Sequence, residues 1–193
     1  MSLLEHSAAL RHEAESLLTD TGIDAQVRQY GDLTYVGSYA LDLMAWPDID
    51  INVVPTAGQS IRGFMELCTR ITEIPSVTRL HFQNVLDERP PGFAAGLYAG
   101  IRLRGRDSQV LWKIDLWSMD VSEAAEPKRE VAGLLSRLDD EARATILATK
   151  HVLLTPEGRT PIGSGHRIYE AVLSKGLRRI EDIRELLRSE GVE

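Results

Sequence analysis

Leu3, Leu4, Leu10, Ala14, Leu17 and Leu18 recur at helical spacing and Thr21-Gly22 supplies a stop, so an amphipathic helix is expected from residue 3 to about 19. The texture then changes. Val27 to Tyr30 and Leu33 to Val36 read as short strands, Gly37-Ser38 as a turn, and Ile49 to Val53 as a half-buried strand in strict alternation ahead of Pro55. Ile61, Phe64, Met65, Cys68 and Ile71 mark a second helix. Val77 to Leu86, Gly96 to Leu103 and Gln109 to Trp117 read as three more strands, joined by Arg89-Pro90-Pro91-Gly92 and Arg104-Gly105-Arg106-Asp107. Beyond Ser122 only helical periodicity remains, at about 127–149, 164–174 and 179–189. The pattern predicts an α+β fold, a mixed or antiparallel sheet flanked by helices over residues 1–122 with a C-terminal helical region over 123–193. Ser122 to Pro127 is the candidate linker between them.

Composition narrows the class. Of 193 residues 43% are hydrophobic and 26% charged, near the average of soluble globular domains, which excludes disordered, collagen-like and membrane classes. No apolar run approaches the ~20 residues of a membrane span, so no membrane partner and no signal peptide are expected. The single cysteine, Cys68, falls on the apolar stripe of the second helix and reads as core filler, which fits a cytoplasmic protein. The net charge of -7 argues against a broad phosphate-tracking surface, so duplex nucleic acid is not an expected partner.

The stretch that carries chemistry runs from Val36 to Ile51. Gly37-Ser38 stands at a strand end, nine residues intervene, and Asp48-Ile49-Asp50 follows inside an apolar strand. Strand side chains alternate, so Asp48 and Asp50 project to one face while Ile49, Ile51 and Val53 project to the other. Two carboxylates held side by side repel unless a cation neutralises them, and oxygen-only ligands favour a hard divalent ion, magnesium first. In the strand ending at Trp117, Lys113 and Asp115 share a face opposite Trp112, Ile114 and Leu116, which makes Asp115 a third acid embedded in a strand. Two-metal phosphoryl chemistry requires such a set, with ions roughly 3.5–4 Å apart.

These three elements, Val36-Gly37-Ser38, Asp48-Ile49-Asp50-Ile51 and Ile114-Asp115-Leu116, resemble the signature of the nucleotidyltransferase superfamily, the polymerase-beta-like fold, over roughly residues 25 to 120. The resemblance implies that Gly37 lets the backbone approach a triphosphate and that Ser38 bonds a phosphate oxygen. It also implies that Asp48 and Asp50 bind two magnesium ions and that Asp115 completes the site as metal ligand or base. Independently, a glycine-serine turn leading into a helix presents N–H groups and a hydroxyl to an anion. Lys113 either reaches the triphosphate or offsets the acids.

The expected activity is therefore magnesium-dependent transfer of a nucleoside monophosphate from an NTP, ATP first, to a hydroxyl acceptor. A small molecule is the expected acceptor, because the chain is short and acidic and shows no basic and aromatic track for a polymer. Nucleotidylation of a partner protein, of the toxin-antitoxin type, and a non-catalytic nucleotide-binding module are the alternatives, and a homodimer is left open. The segment Thr160 to Arg167 reads as a capped turn with His166 and Arg167 exposed, and Tyr39 and Trp46 as packing aromatics. No histidine has zinc-site spacing.

Overall fold

The computed structural model describes residues 1–87, 94–105 and 110–192. Five strands, β1 (Gly31–Val36), β2 (Asp48–Pro55), β3 (Val77–Val85), β4 (Gly96–Arg104) and β5 (Leu111–Ser118), form one sheet in the order β1-β2-β5-β4-β3. β2 and β5 run parallel, and the other three pairings are antiparallel, so the sheet is mixed. The parallel pair needs a crossover, which α4 (Ile61–Thr72), β3 and β4 supply between them.

Alternation along the strands gives the sheet two unlike faces. Ile49, Ile51 and Val53 of β2, Leu97, Ala99, Ile101 and Leu103 of β4, and Trp112, Ile114 and Leu116 of β5 are buried in the larger core. Helices α1 (Leu3–Asp20), α2 (Ile23–Tyr30) and α4 cover that face with Leu10, Leu17, Ile23, Val27, Phe64, Leu67 and Ile71. Ser2 opens α1 with a capping box, its side chain accepting from Glu5 N–H while the Glu5 carboxylate accepts from Ser2 N–H, worth about 1 kcal/mol. Cys68 lies buried and free on α4, as expected, whereas Ile61 and Met65 of the same helix are exposed and Leu67 takes the core position.

A second core is built from α5 (Val121–Leu135), α6 (Asp140–Val152), α7 (Ser164–Tyr169) continuing into a π-helical turn Glu170–Ser174, and α8 (Ile180–Ser189). Leu134, Ile146, Leu147, Ile168, Ile183 and Leu187 pack there with Leu41, the last residue of the short helix α3 (Gly37–Leu41), and with Leu43 just beyond it. The segment after β1 is thus anchored in the helical core, while the strands on either side belong to the sheet core.

Three expectations are corrected. Val27 to Tyr30, read as a strand, belongs to α2: Ile23 and Val27 bury one helical face, and Arg28 pairs with Asp24 at 2.8 Å across one turn. This amphipathic geometry outweighs the β preference of Val27 and Tyr30. The helix expected over 127–149 is two helices. Asp139 breaks it by capping α6, accepting from Ala142 N–H at 2.7 Å. Ser122 to Pro127 is not an extended linker but the first part of α5, capped by Asp120, whose carboxylate accepts from Glu123 N–H at 3.0 Å. The turn at Arg89 to Gly92 lies outside the described residues, as do Arg106, Asp107 and Gln109. Among the described residues no helix is long and apolar enough to cross a membrane.

Candidate active site

The sheet face away from the larger core floors a cleft of about 660 Å³, whose opposite wall is α5, the 159–166 segment, Lys150 and Tyr169. Three rows of cross-strand neighbours run over this floor. Asp48 pairs with Lys113 and Lys113 with Arg102; Asp50 pairs with Asp115, Asp115 with Gly100 and Gly100 with His81; Asn52 pairs with Trp117, Trp117 with Tyr98 and Tyr98 with Gln83. The parallel register of β2 and β5 therefore sets Asp50 beside Asp115, and oxygens of Asp48, Asp50 and Asp115 all lie within 4.8 Å of one another.

Burial makes this cluster electrostatically expensive. Desolvation, with the Asp48 and Asp115 charges, pushes the Asp50 carboxyl up to about 8. Desolvation also raises Asp48, to about 6, against the pull of Lys113. Lys113 Nζ answers part of the charge, at 3.1 Å from Asp48 Oδ1 and 2.5 Å from Asp115 Oδ2. Burial would lower its ammonium, but the Asp48 and Asp115 charges outweigh that and hold it above its ordinary value. The Trp46 ring covers the same ammonium at 5.4 Å.

Gly37 and Ser38 meet the acids because β1 ends in a sharp turn. Gly37 has φ +63°, and a Cβ there would collide with the Asp50 carboxylate. Only glycine lets α3 start so close to Asp50. Ser38 is buried at the first turn of α3 and lines the cleft. The sites expected from sequence, Gly37, Ser38, Asp48, Asp50, Lys113 and Asp115, all line one cleft. Trp46 is half-buried and lines it too, whereas Tyr39 packs in the core against Tyr35, ring centroids 4.8 Å apart. His166 lines the cleft with Nδ1 2.8 Å from Glu130, and Arg167 is held by Glu170 and Glu190.

Sequence reasoning missed two features. Tyr98 donates its hydroxyl to Asp115 Oδ1 at 2.9 Å, and it reaches there by lying over Gly100, where a Cβ would stand 2.6 Å from that hydroxyl. Only the strand register reveals this pairing. Lys150, 3% exposed, donates from Nζ to Leu43 O at 2.7 Å and Tyr169 Oη at 3.3 Å, and burial lowers its ammonium to about 8 despite Asp48 and Asp50. A signal existed: Ala142, Ile146 and Lys150 fall at i, i+4 and i+8, which puts a lysine on the apolar stripe of α6.

The donor set suits a hard divalent cation. It is oxygen only, three carboxylates converge, and the cluster already draws in an ammonium group as partial counter-charge. Among solved structures, the poly(A) polymerase complex GLD-2–GLD-3 matches with TM-score 0.52 and 12% identity, over 89% of this chain and 57% of that one. The fold is that of a nucleotidyltransferase. A cytoplasmic RNA terminal U-transferase (TM-score 0.49, 11% identity, 89% of this chain and 52% of that one) and the Cid1 poly(U) polymerase (0.48, 12%, 77% and 46%) are also similar. This nucleotidyltransferase-fold chain spans about half the length of the solved structures it matches. No protein-family model matches the sequence, and no curated protein matches it.

Proposed function

We propose that the chain transfers a nucleoside monophosphate from a nucleoside triphosphate, ATP first, to the hydroxyl of a small acceptor in a magnesium-dependent reaction. The observation that carries this reading is the convergence of Asp48, Asp50 and Asp115 within 4.8 Å, beside Gly37, whose positive φ and close approach to the Asp50 carboxylate leave no room for a side chain. Magnesium held there would supply charge neutralisation at the attacking and leaving oxygens. Asp48 and Asp50 of β2 and Asp115 of β5 would hold the ions. Tyr98 fixes Asp115 Oδ1, and Asp115 Oδ2, beside Lys113 Nζ, is the oxygen that would take the proton of the acceptor hydroxyl.

Ser38 and the backbone at the start of α3 receive phosphate oxygens. Lys113, held between Asp48 and Asp115, is the side chain that would contact the triphosphate, and buried Lys150 adds positive potential behind Asp48 and Asp50. Residues 1–122 carry the acids and the phosphate turn, and residues 123–193 the opposite wall. A buried reduced Cys68 fits work in the cytoplasm.

The test is a thermal-shift series with magnesium and each nucleoside triphosphate, followed by diphosphate release against candidate acceptors. Stabilisation by Mg·ATP and magnesium-dependent release that vanish in Asp50→Asn, with unchanged circular dichroism, are expected. Release that survives Asp50→Asn refutes the site.

A further inference from the structure

The row that begins at Asp48 does not stop at Lys113. Arg102 of β4 pairs with Lys113, and Arg79 of β3 pairs with Arg102, so three cationic residues occupy one row across three strands whose backbones are about 4.8 Å apart. Leu80 and Phe82 pack against the larger core, so Arg79, one residue away, stands on the opposite face of β3, exposed just beyond the residues that line the cleft. Lys113 spends its charge on Asp48 and Asp115, whereas among the described residues neither Arg102 nor Arg79 makes an ion pair. In a chain of net charge -7, two adjacent arginines without an ion pair among the described residues do little to stabilise a sheet. Like charges directly opposite on neighbouring strands destabilise it.

The position of the row decides its ligand. Gly37 and Ser38 approach the acids from the β1 side, while Arg102 and Arg79 lie on the β4 and β3 side, so the carboxylates separate the two regions. Displacement at phosphorus is in line, with nucleophile and leaving group on opposite sides of the transferred group. If the diphosphate leaves toward Gly37 and Ser38, the attacking hydroxyl arrives over β4. We infer that the acceptor is an anion carrying a phosphate close to its reacting hydroxyl, and that Arg102, which lines the cleft with His81 and Gln83, holds this phosphate, with Arg79 at the rim. The inference rests on the proposed transfer reaction and assigns the acceptor's chemistry within it. In that reaction the acceptor oxygen forms a bond to the alpha phosphorus, the bond from that phosphorus to the bridging oxygen breaks, diphosphate leaves, and the hydroxyl proton passes to Asp115 or to water.

A phosphate beside a hydroxyl occurs both at the 3′ end of an RNA and in a small phosphorylated molecule, and the experiment separates them. Binding of a 5′-fluorescein-labelled ten-nucleotide oligoadenylate with a free 3′ hydroxyl is followed by anisotropy, and binding of glycerol 3-phosphate by calorimetry with glycerol as the uncharged control. Both use the full chain without nucleotide. Mg·ATP stabilisation is recorded for every variant. At least one phosphate probe is expected to bind, glycerol is not, and Arg102→Ala is expected to weaken that probe at least tenfold. Arg79→Ala should weaken it about threefold, and Arg102→Lys should restore part of the loss. For the oligonucleotide, the slope of log K against log salt should shrink by about 0.7 per arginine removed.

Oligonucleotide binding alone assigns a polymer end, and glycerol 3-phosphate binding alone assigns a small acceptor. Binding of neither probe, or binding that ignores both arginines, overturns the inference. So does loss of Mg·ATP stabilisation in Arg102→Ala, which would give the row to the donor. Absence of Mg·ATP stabilisation in the unaltered protein would instead sink the transfer reaction itself, whatever the probes do.

Discussion

On one face of the sheet Ile49, Ile51, Ile101, Ile114 and Leu116 are fully buried against helices, while one residue away along the same strands Asp48, Asp50, Arg102, Lys113 and Asp115 floor an open cleft. The first set lowers the free energy of the fold; the second raises it, through desolvated like charges. Such a division teaches that the strands of this sheet serve stability with every other residue and chemistry with the rest. It also predicts that substitutions on the two faces act on different observables.

The largest effect is expected on the charged face. Asp50→Asn should reduce magnesium-dependent diphosphate release by about a thousandfold or more, while the melting temperature without metal rises because folding no longer has to protonate or desolvate a carboxylate there. A lower melting temperature would break the comparison. On the apolar face, Ile114→Ala should cost about 2–5 kcal/mol in urea unfolding and leave the Mg·ATP stabilisation of the remaining folded protein intact. Gly37→Ala touches both observables. Its positive φ and the Asp50 collision should cost about 1–3 kcal/mol and also abolish the response to Mg·ATP.

The pH dependence sharpens the contrast further. Burial and the neighbouring acids push the Asp50 carboxyl up to about 8 in the fold, against its ordinary 3.8 when unfolded, so between those values the folded state holds a proton that the unfolded state has lost. Metal-free stability should therefore decline as pH rises from about 4 through 8, and Asp50→Asn should make that decline shallower, leaving the part that Asp48 contributes. An unchanged slope in chemical denaturation would contradict the assignment. The smallest effect is expected for Tyr98→Phe, which frees Asp115 Oδ1: a few-fold loss of turnover with the Mg·ATP stabilisation retained.

Local periodicity carried much of this architecture. Alternation at Ile49-Asp50-Ile51 and Lys113-Ile114-Asp115 placed the acids on one face without knowledge of any neighbour, and all three converge. What depends on pairing between distant segments was not legible. Tyr98 reaches Asp115 only because β4 register puts Gly100 opposite that acid, and the Arg79-Arg102-Lys113 row exists only once β3, β4 and β5 are aligned. Lys150 was hidden for a related reason, since its neighbours Leu43 and Tyr169 come from 107 and 19 residues away. The misread strand at Val27 shows short β-branched and aromatic runs yielding to i, i+4 burial and pairing, and the capping acids Asp120 and Asp139 marked helix starts that apolar spacing alone blurred.

The central claim is that Asp48, Asp50 and Asp115 act together as one divalent-cation site. Manganese in place of magnesium, titrated into the full chain with α,β-methylene-ATP and followed by electron paramagnetic resonance, reads that claim directly. Saturable manganese binding that is lost in both Asp50→Asn and Asp115→Asn is the result expected. Binding that is absent from the unaltered protein, or that survives either substitution undiminished, would contradict it.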